Sequence, residues 1–137
     1  MSSLNLKIVS FDKTLYSKSV EMVVLPGAFG DISISSMGRY FAYVLKSGTI
    51  YVFEGNEKKR FFIQQGRFVS SENEIIVSID GDLFDLDNLD LSGINKLINK
   101  YEELLKNESN NIKHSFYINK VHFYNSLINS SNIVLYK

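Results

Sequence analysis

Residues 23–34 read Val-Val-Leu-Pro-Gly-Ala-Phe-Gly-Asp-Ile-Ser-Ile. An apolar run ends at Pro26-Gly27, a second turn signal follows at Gly30-Asp31, and alternating apolar residues then resume. Proline fixes φ and glycine supplies positive φ. The stretch therefore predicts two strands joined by a compact, projecting double turn at the end of a sheet.

The segments on both sides of this turn are typical of short strands. Leu4, Leu6 and Ile8 alternate with polar residues, the pattern of a half-buried strand. The clearest hairpin joins residues 51–53 to residues 61–63 through a tip at 54–57. Further strands are predicted over 20–25, 41–45, 48–53 and 74–79. Short strands at this spacing predict a β-sandwich of about ten strands.

The pattern changes after residue 79. Residues 80–90 carry five carboxylates and no base, and are expected to form a solvated linker that caps a helix at Asp90 or Asn88. Apolar residues then recur at helical spacing: Leu91, Ile94, Leu97, Ile98, Tyr101, Leu104 and Leu105, and, after a polar break at 107–111, Ile112, Phe116, Val121, Tyr124, Leu127 and Ile128. We expect a mostly β fold with an α appendage: a β-sandwich domain over 1–87 and a C-terminal antiparallel two-helix hairpin over 88–137.

Composition narrows the class of protein. The chain has 137 residues, of which 45% are apolar and 13% aromatic, enough for a packed core. Fifteen bases balance fifteen acids, which argues against nucleic-acid binding. Cysteine is absent, which removes disulfides and thiolate sites. No secretory signal and no apolar stretch of about 18 residues is visible, so any membrane contact is expected through partners.

No pattern for catalysis, metal or cofactor binding stands out. The acidic segment fails as a calcium loop, because position 5 falls on Phe84 or Leu89 in either register. His114 and His122 stand about two helical turns apart, too far to hold one ion. No Gly-x-Ser-x-Gly elbow and no phosphate-binding loop with its lysine is present. We expect no catalytic residue, no metal and no cofactor in this chain.

Several segments, taken in order, resemble the epsilon subunit of F-type ATP synthases. Residues 6–17, L-K-I-V-S-F-D-K-T-L-Y-S, are similar to the family's L-x-I-V-S-P-x-x-x-L-F-S. Residues 23–31 follow its V-x-x-P-G-x-x-G-D, and residues 45–48, L-K-S-G, stand for its L-K-P-G. The resemblance covers residues 6–79 best, and a pair of helices follows as in the family.

The resemblance implies a rotor component without an active site, which couples proton flow to ATP synthesis. Such a subunit binds the gamma subunit and the membrane rotor ring, on the cytoplasmic face of the bacterial inner membrane. The implied partner-binding residues are Pro26, Gly27, Gly30 and Asp31 at the ring, and Arg39 and Tyr40 in the loop that the family places near gamma.

Two departures from the family bear on regulation. Residues 89–94, L-D-L-S-G-I, replace the ATP-binding I-D-x-x-R-A, so Gly93 stands where the phosphate-gripping arginine would be, and we expect no tight ATP binding. The bases near the end are only Lys113, Lys120 and Lys137. Inhibitory insertion into the catalytic head, which would make the head a third partner, is therefore doubtful.

Two other classes of protein remain open from sequence. The first alternative is a free-standing β-sandwich module that binds a small ligand or a peptide, and the second is a small hydrolase with an unrecognised site. Co-purification with an ATPase complex distinguishes the epsilon reading from the first, and a featureless cleft would count against the second.

Overall fold

The computed structural model describes residues 4–35, 40–72 and 74–133, and divides into two compact units, Met1–Asp87 and Asn88–Lys137. The described strands are β1 (Leu4–Ser10), β2 (Lys13–Val20), β3 (Met22–Gly27), β4 (Gly30–Ile34), β5 (Phe41–Leu45), β6 (Gly48–Glu54), β7 (Glu57–Ile63), β8 (Gly66–Ser70), β9 (Glu74–Ile79) and β10 (Phe84–Asp85). A 3-10 turn (Leu86–Asn88) and the helices α1 (Leu91–Lys106) and α2 (Asn111–Asn132) follow.

The strands form one curled, sandwich-like sheet in the order β10-β7-β6-β3-β5-β8-β9-β1-β2, with β4 paired to β3. β1 and β9 run parallel, and the other pairs in the described part are antiparallel. Side chains at alternate positions fill the interior, including Leu4, Leu6 and Ile8 of β1. The predicted sandwich of about ten short strands followed by two helices is confirmed.

The hairpin predicted around residues 54–57 is also confirmed. Glu54 pairs with Glu57 across a two-residue turn of Gly55 and Asn56. Gly55 has φ of 61°, a left-handed conformation that glycine adopts without steric cost.

The acidic segment is more structured than a linker. Phe84 of β10 pairs with Phe62 of β7, which extends the sheet by one strand. The buried Arg60 donates from Nε and Nη2 to Oδ1 of Asp87, over 3.1 and 2.7 Å. The prediction of a solvated linker is therefore wrong for this part of the segment, because a buried arginine recruits one of its carboxylates.

The two helices form a hairpin whose contacts centre on one aromatic residue. The ring of Tyr101 lies 6.4, 5.8 and 6.2 Å from the rings of Phe116, Tyr117 and Tyr124. Ile112, at the start of α2, is nevertheless 82% exposed, and Phe116 is half exposed. The predicted apolar stripe of α2 is thus wrong as a continuous buried face. Neither described helix is both long and apolar enough to cross a membrane.

Candidate partner-binding site

The β3–β4 hairpin carries four of the predicted site residues, but its turn differs from the predicted one. Pro26 pairs with Asp31 and Gly27 with Gly30, so the turn consists of Ala28 and Phe29 alone. Pro26 and Gly27 are buried at the end of β3, whereas Gly30 and Asp31 are exposed at the start of β4. The predicted double turn is therefore wrong: the structure has one tight turn two residues later.

Tertiary hydrogen bonds explain why Pro26 lies within a strand. Its carbonyl accepts the N–H of Lys46 over 2.9 Å, and the N–H of Ala28 donates to the carbonyl of Val44 over 3.1 Å. At this point β3 leaves β6 and meets β5 at a single residue pair, Gly27 with Leu45. A proline is tolerated here because β3 changes partner strand, so the sheet needs no donor from it.

Close packing at Gly27 holds the hairpin in place. A Cβ at this position would lie 2.6 Å from the carbonyl oxygen of Gly30 and 2.8 Å from Cδ1 of Ile32. Gly30 has φ of 137°, which side chains rarely tolerate. The two glycines of the predicted site are thus structural requirements of the hairpin that presents its tip.

The exposed large apolar side chain of this hairpin is Phe29, which sequence reasoning missed. Its side chain is fully exposed (102%), because the tight turn directs it away from the core. A fully exposed aromatic side chain adds no buried surface to the core, which makes Phe29 a candidate contact for a partner. Phe29 lies two residues after Gly27 and directly before Gly30, and the strand pairing of these two glycines is what places it at the tip.

The remaining two predicted residues belong to the loop before β5. Tyr40 is exposed directly before Phe41, and Arg39 lies outside the described residues. The structure therefore places Tyr40 on the surface.

A cavity of about 470 Å³ opens between the hairpin and β5. Its apolar lining includes Phe29, Ile32, Ile34, Phe41, Tyr43 and Phe68. Tyr43 stacks on the buried Phe68 with ring centroids 5.9 Å apart. The cavity is therefore an apolar recess beside an exposed aromatic tip.

A separate polar cluster joins β2 to β6 and β7. The Tyr16 hydroxyl donates to Glu54, whose carboxylate also lies 3.7 Å from Nζ of Lys18 and 3.6 Å from Nζ of Lys59. Burial raises the pKa of Tyr16, and the hydrogen bond and charge of Glu54 raise it further. Burial would raise the pKa of Glu54, but the bond from Tyr16 and the two lysines outweigh it and lower that pKa.

The lowered pKa of Glu54 predicts an acid-sensitive contribution to stability. A depressed carboxyl pKa adds stability that is present above the unfolded value and is lost as the pH falls through the folded value. We expect Glu54→Gln to lower the free energy of unfolding by about 1–3 kcal/mol at pH 7, with a smaller difference from the unaltered chain at pH 3. Urea unfolding between pH 3 and pH 8 measures this.

Glu57→Gln is the matched control for this prediction, since Glu57 is exposed on the same hairpin. Its unfolding curves should follow those of the unaltered chain. An equal effect of the two substitutions at pH 7 would contradict a specific role of the Glu54 cluster.

Other polar groups singled out in the sequence do not converge on a site. In the described residues no three histidine, aspartate or glutamate side chains lie close enough to hold a metal ion. His114 and His122 are exposed on α2. Asp90 caps α1, since its Oδ1 accepts the N–H of Gly93 over 3.0 Å. Asp90 was one of the two capping residues predicted from the sequence. Its carboxylate is engaged in this hydrogen bond to the backbone of the helix.

Comparison with known proteins gives the family. Residues 3–81 match the model of the ATP synthase delta/epsilon chain β-sandwich domain. Over 109 residues the chain is 27% identical to the ATP synthase epsilon chain 2 of Nitrobacter hamburgensis, covering 80% of this chain and 79% of that one. Over 66 residues it is 35% identical to the epsilon chain of Caulobacter vibrioides, covering 48% of this chain and 77% of the relative.

Solved structures agree in fold. A chain of the Euglena gracilis mitochondrial ATP synthase matches with a TM-score of 0.71 and 13% identity, covering 93% of this chain and 80% of that one. A chain of the Tetrahymena thermophila mitochondrial ATP synthase central stalk/c-ring matches with a TM-score of 0.56 and 13% identity, covering 91% of this chain and 96% of that one.

The chain belongs to the delta/epsilon family of ATP synthase subunits, since the family model matches more than half of its length. Its curated relatives are epsilon chains, which places it among the epsilon subunits of F-type ATP synthases.

Proposed function

We propose that this chain is a non-catalytic component of the central stalk of an F-type ATP synthase, where it takes part in coupling proton translocation to ATP synthesis. The match of residues 3–81 to the family's β-sandwich domain carries the proposal. The described site supports it, because a fully exposed aromatic tip beside an apolar recess is the kind of surface that marks contacts between proteins.

The proposed partners are the gamma subunit and the membrane rotor ring. The hairpin tip, with Phe29, Gly30 and Asp31 exposed, would meet the ring, and the loop with Arg39 and Tyr40 would lie near gamma. Solved structures with this fold come from ATP synthase assemblies that include the c-ring. Association with the cytoplasmic face of a bacterial membrane would then occur through these partners.

The proposed role needs no bound nucleotide. In the ATP-binding members that this chain resembles, an aspartate and an arginine open the first helix. Here Asp90 accepts a hydrogen bond from Gly93, and Gly93 itself offers no guanidinium. The start of α1 is therefore a capped helix rather than a phosphate clamp.

Co-purification tests the proposal. The full chain, carrying an affinity tag, is expressed in its own cells, and membranes are solubilised in mild detergent. We expect the catalytic, gamma and ring subunits to be recovered with it in constant ratio. The same tag on an unrelated cytosolic protein serves as control. Recovery of this chain alone, or with a small ligand only, would overturn the proposal in favour of a free-standing module.

A further inference from the structure

The edge of β5 that faces the β3–β4 hairpin is paired at one end only. In the described part of the chain, the ladder between β5 and this hairpin is the single pair Gly27–Leu45, flanked by the hydrogen bonds from Ala28 to Val44 and from Lys46 to Pro26. The opposite edge of β5 pairs with β8 along its whole length, from Phe41 with Ser70 to Leu45 with Gly66. β4 pairs with β3 and, among the described strands, with no other. Beyond Val44, the edge of β5 that faces the hairpin therefore carries no ladder among the described strands.

Two hydrogen bonds fix which peptide groups of β5 face the recess. The carbonyl of Val44 accepts from Ala28, so Val44 is turned towards the hairpin. The N–H of Phe41 donates to Oγ of Ser70 over 3.0 Å, so Phe41 is turned towards β8. Both polar groups of one residue point to the same edge in an antiparallel strand, and successive residues alternate. The N–H and C=O of Ala42 therefore point to the edge of β5 that faces the hairpin, between Phe41 and Tyr43, which line the recess.

The same alternation applies to β4. The carbonyl of Pro26 is turned towards Lys46, so the pair Pro26–Asp31 is not the hydrogen-bonded kind. The pair Val24–Ser33, two positions further along the hairpin, is therefore also a non-hydrogen-bonded pair. The backbone groups of Ser33, which lines the recess, therefore point to the outer edge of β4.

We propose that an extended segment of a neighbouring protein chain adds to the edge of β5 in this recess. The guest backbone pairs with the N–H and C=O of Ala42, and alternate apolar side chains enter the recess over Tyr43 and Phe68. This is recognition by strand addition, in which main-chain hydrogen bonds give affinity and side-chain pockets give specificity. The inference rests on the proposed function, since the neighbouring chain is another subunit of the same complex.

The backbone argument selects an extended guest over other occupants. A helix has already paired its own N–H and C=O groups, so it cannot pair with Ala42. A purely apolar small molecule would cover the peptide groups of Ala42 without pairing them, which is costly. An extended chain satisfies both the strand edge and the apolar lining.

Hydrogen–deuterium exchange on the unaltered chain tests the proposal. Exchange is measured for the free full chain and for the chain within the purified complex, resolved to single amides by fragmentation. We expect the amide of Ala42 to exchange at least about 100-fold more slowly in the complex. The amide of Tyr43, which faces β8 in both states, should change little. Equal exchange of Ala42 in both states would overturn the inference while leaving the proposed function intact.

A pair of substitutions provides a second measurement. Ala42→Pro removes the N–H at this edge, and proline is tolerated on an unpaired strand edge, whereas Ala42→Ser keeps it. We expect about tenfold less Ala42→Pro chain in the complex and unchanged recovery of Ala42→Ser. Circular dichroism shows whether each variant is folded. If Ala42→Pro does not fold, the exchange measurement on the unaltered chain alone tests the inference. Equal recovery of the two folded variants would overturn the inference, and so would protection of Ala42 in a dimer of the free chain. If the unaltered chain is recovered in no complex at all, the proposed function is overturned as well.

Discussion

Replacing Phe68 by alanine is expected to lower the free energy of unfolding of the sandwich by about 3–5 kcal/mol. Phe68 is 1% exposed, pairs with Val77 of β9 on one side and Tyr43 of β5 on the other, and stacks on the Tyr43 ring. Its loss removes buried apolar surface and extends the recess into the core, where neighbouring strands cannot collapse without breaking their ladders. Urea unfolding followed by circular dichroism measures the change.

Tyr43→Ala is the matched control, because it removes the other ring of the same stack. Tyr43 is half exposed, so its truncation should cost only about 1 kcal/mol. A loss for Phe68→Ala no larger than that for Tyr43→Ala would show that Phe68 is not part of the folding core and that the recess is open to solvent at its base.

Local signals in the sequence predicted the parts of the fold that local interactions determine. The β6–β7 hairpin follows from Gly55 between two apolar strands, and the start of α1 follows from the cap at Asp90. Strands β1 and β9 were predicted from apolar residues at alternate positions, and the same alternate residues are buried in the sheet. In these places the sequence pattern and the tertiary environment favour the same conformation.

The missed features depend on contacts between residues far apart in the chain. Pro26-Gly27 has the composition of a turn, yet the carbonyl of Pro26 accepts from Lys46 and the dipeptide stays in β3. The acidic segment has the composition of a linker, yet Arg60 binds Asp87, 27 residues away. No local pattern encodes either pairing, so sequence reasoning placed a turn and a linker where the sheet continues.

The sequence predicted where the candidate site lies, but it did not predict which side chain is exposed at its tip. The sequence directed attention to Gly30 and Asp31, which do lie beside the exposed tip. It overlooked Phe29, because an aromatic residue between turn residues is normally assigned to the core. Only the two-residue length of the turn, fixed by the pairing of Gly27 with Gly30, shows that the side chain cannot reach the interior.

Phe29→Asp is expected to weaken the attachment of this chain to the rotor ring by about 10- to 100-fold. Transfer of a fully exposed phenylalanine into a protein contact contributes about 1.5–3 kcal/mol, and a carboxylate in its place would also have to be desolvated. Asp31→Ala should have a smaller effect, since an exposed ion pair contributes only about 0–1 kcal/mol. The measurements are the amount of chain retained on washed membranes and the rate of ATP synthesis in the vesicles.

Phe11→Asp is the control that separates a specific contact from a general effect of charge. Phe11 lies in the β1–β2 turn, is 91% exposed and has φ of 56°, so the same substitution there changes an equally exposed aromatic and suits the backbone. We expect Phe11→Asp to leave retention and synthesis near those of the unaltered chain. Equal losses for the two variants, or full retention of Phe29→Asp, would contradict a role for the hairpin tip, because a partner that buries Phe29 must distinguish it from an aromatic in another turn.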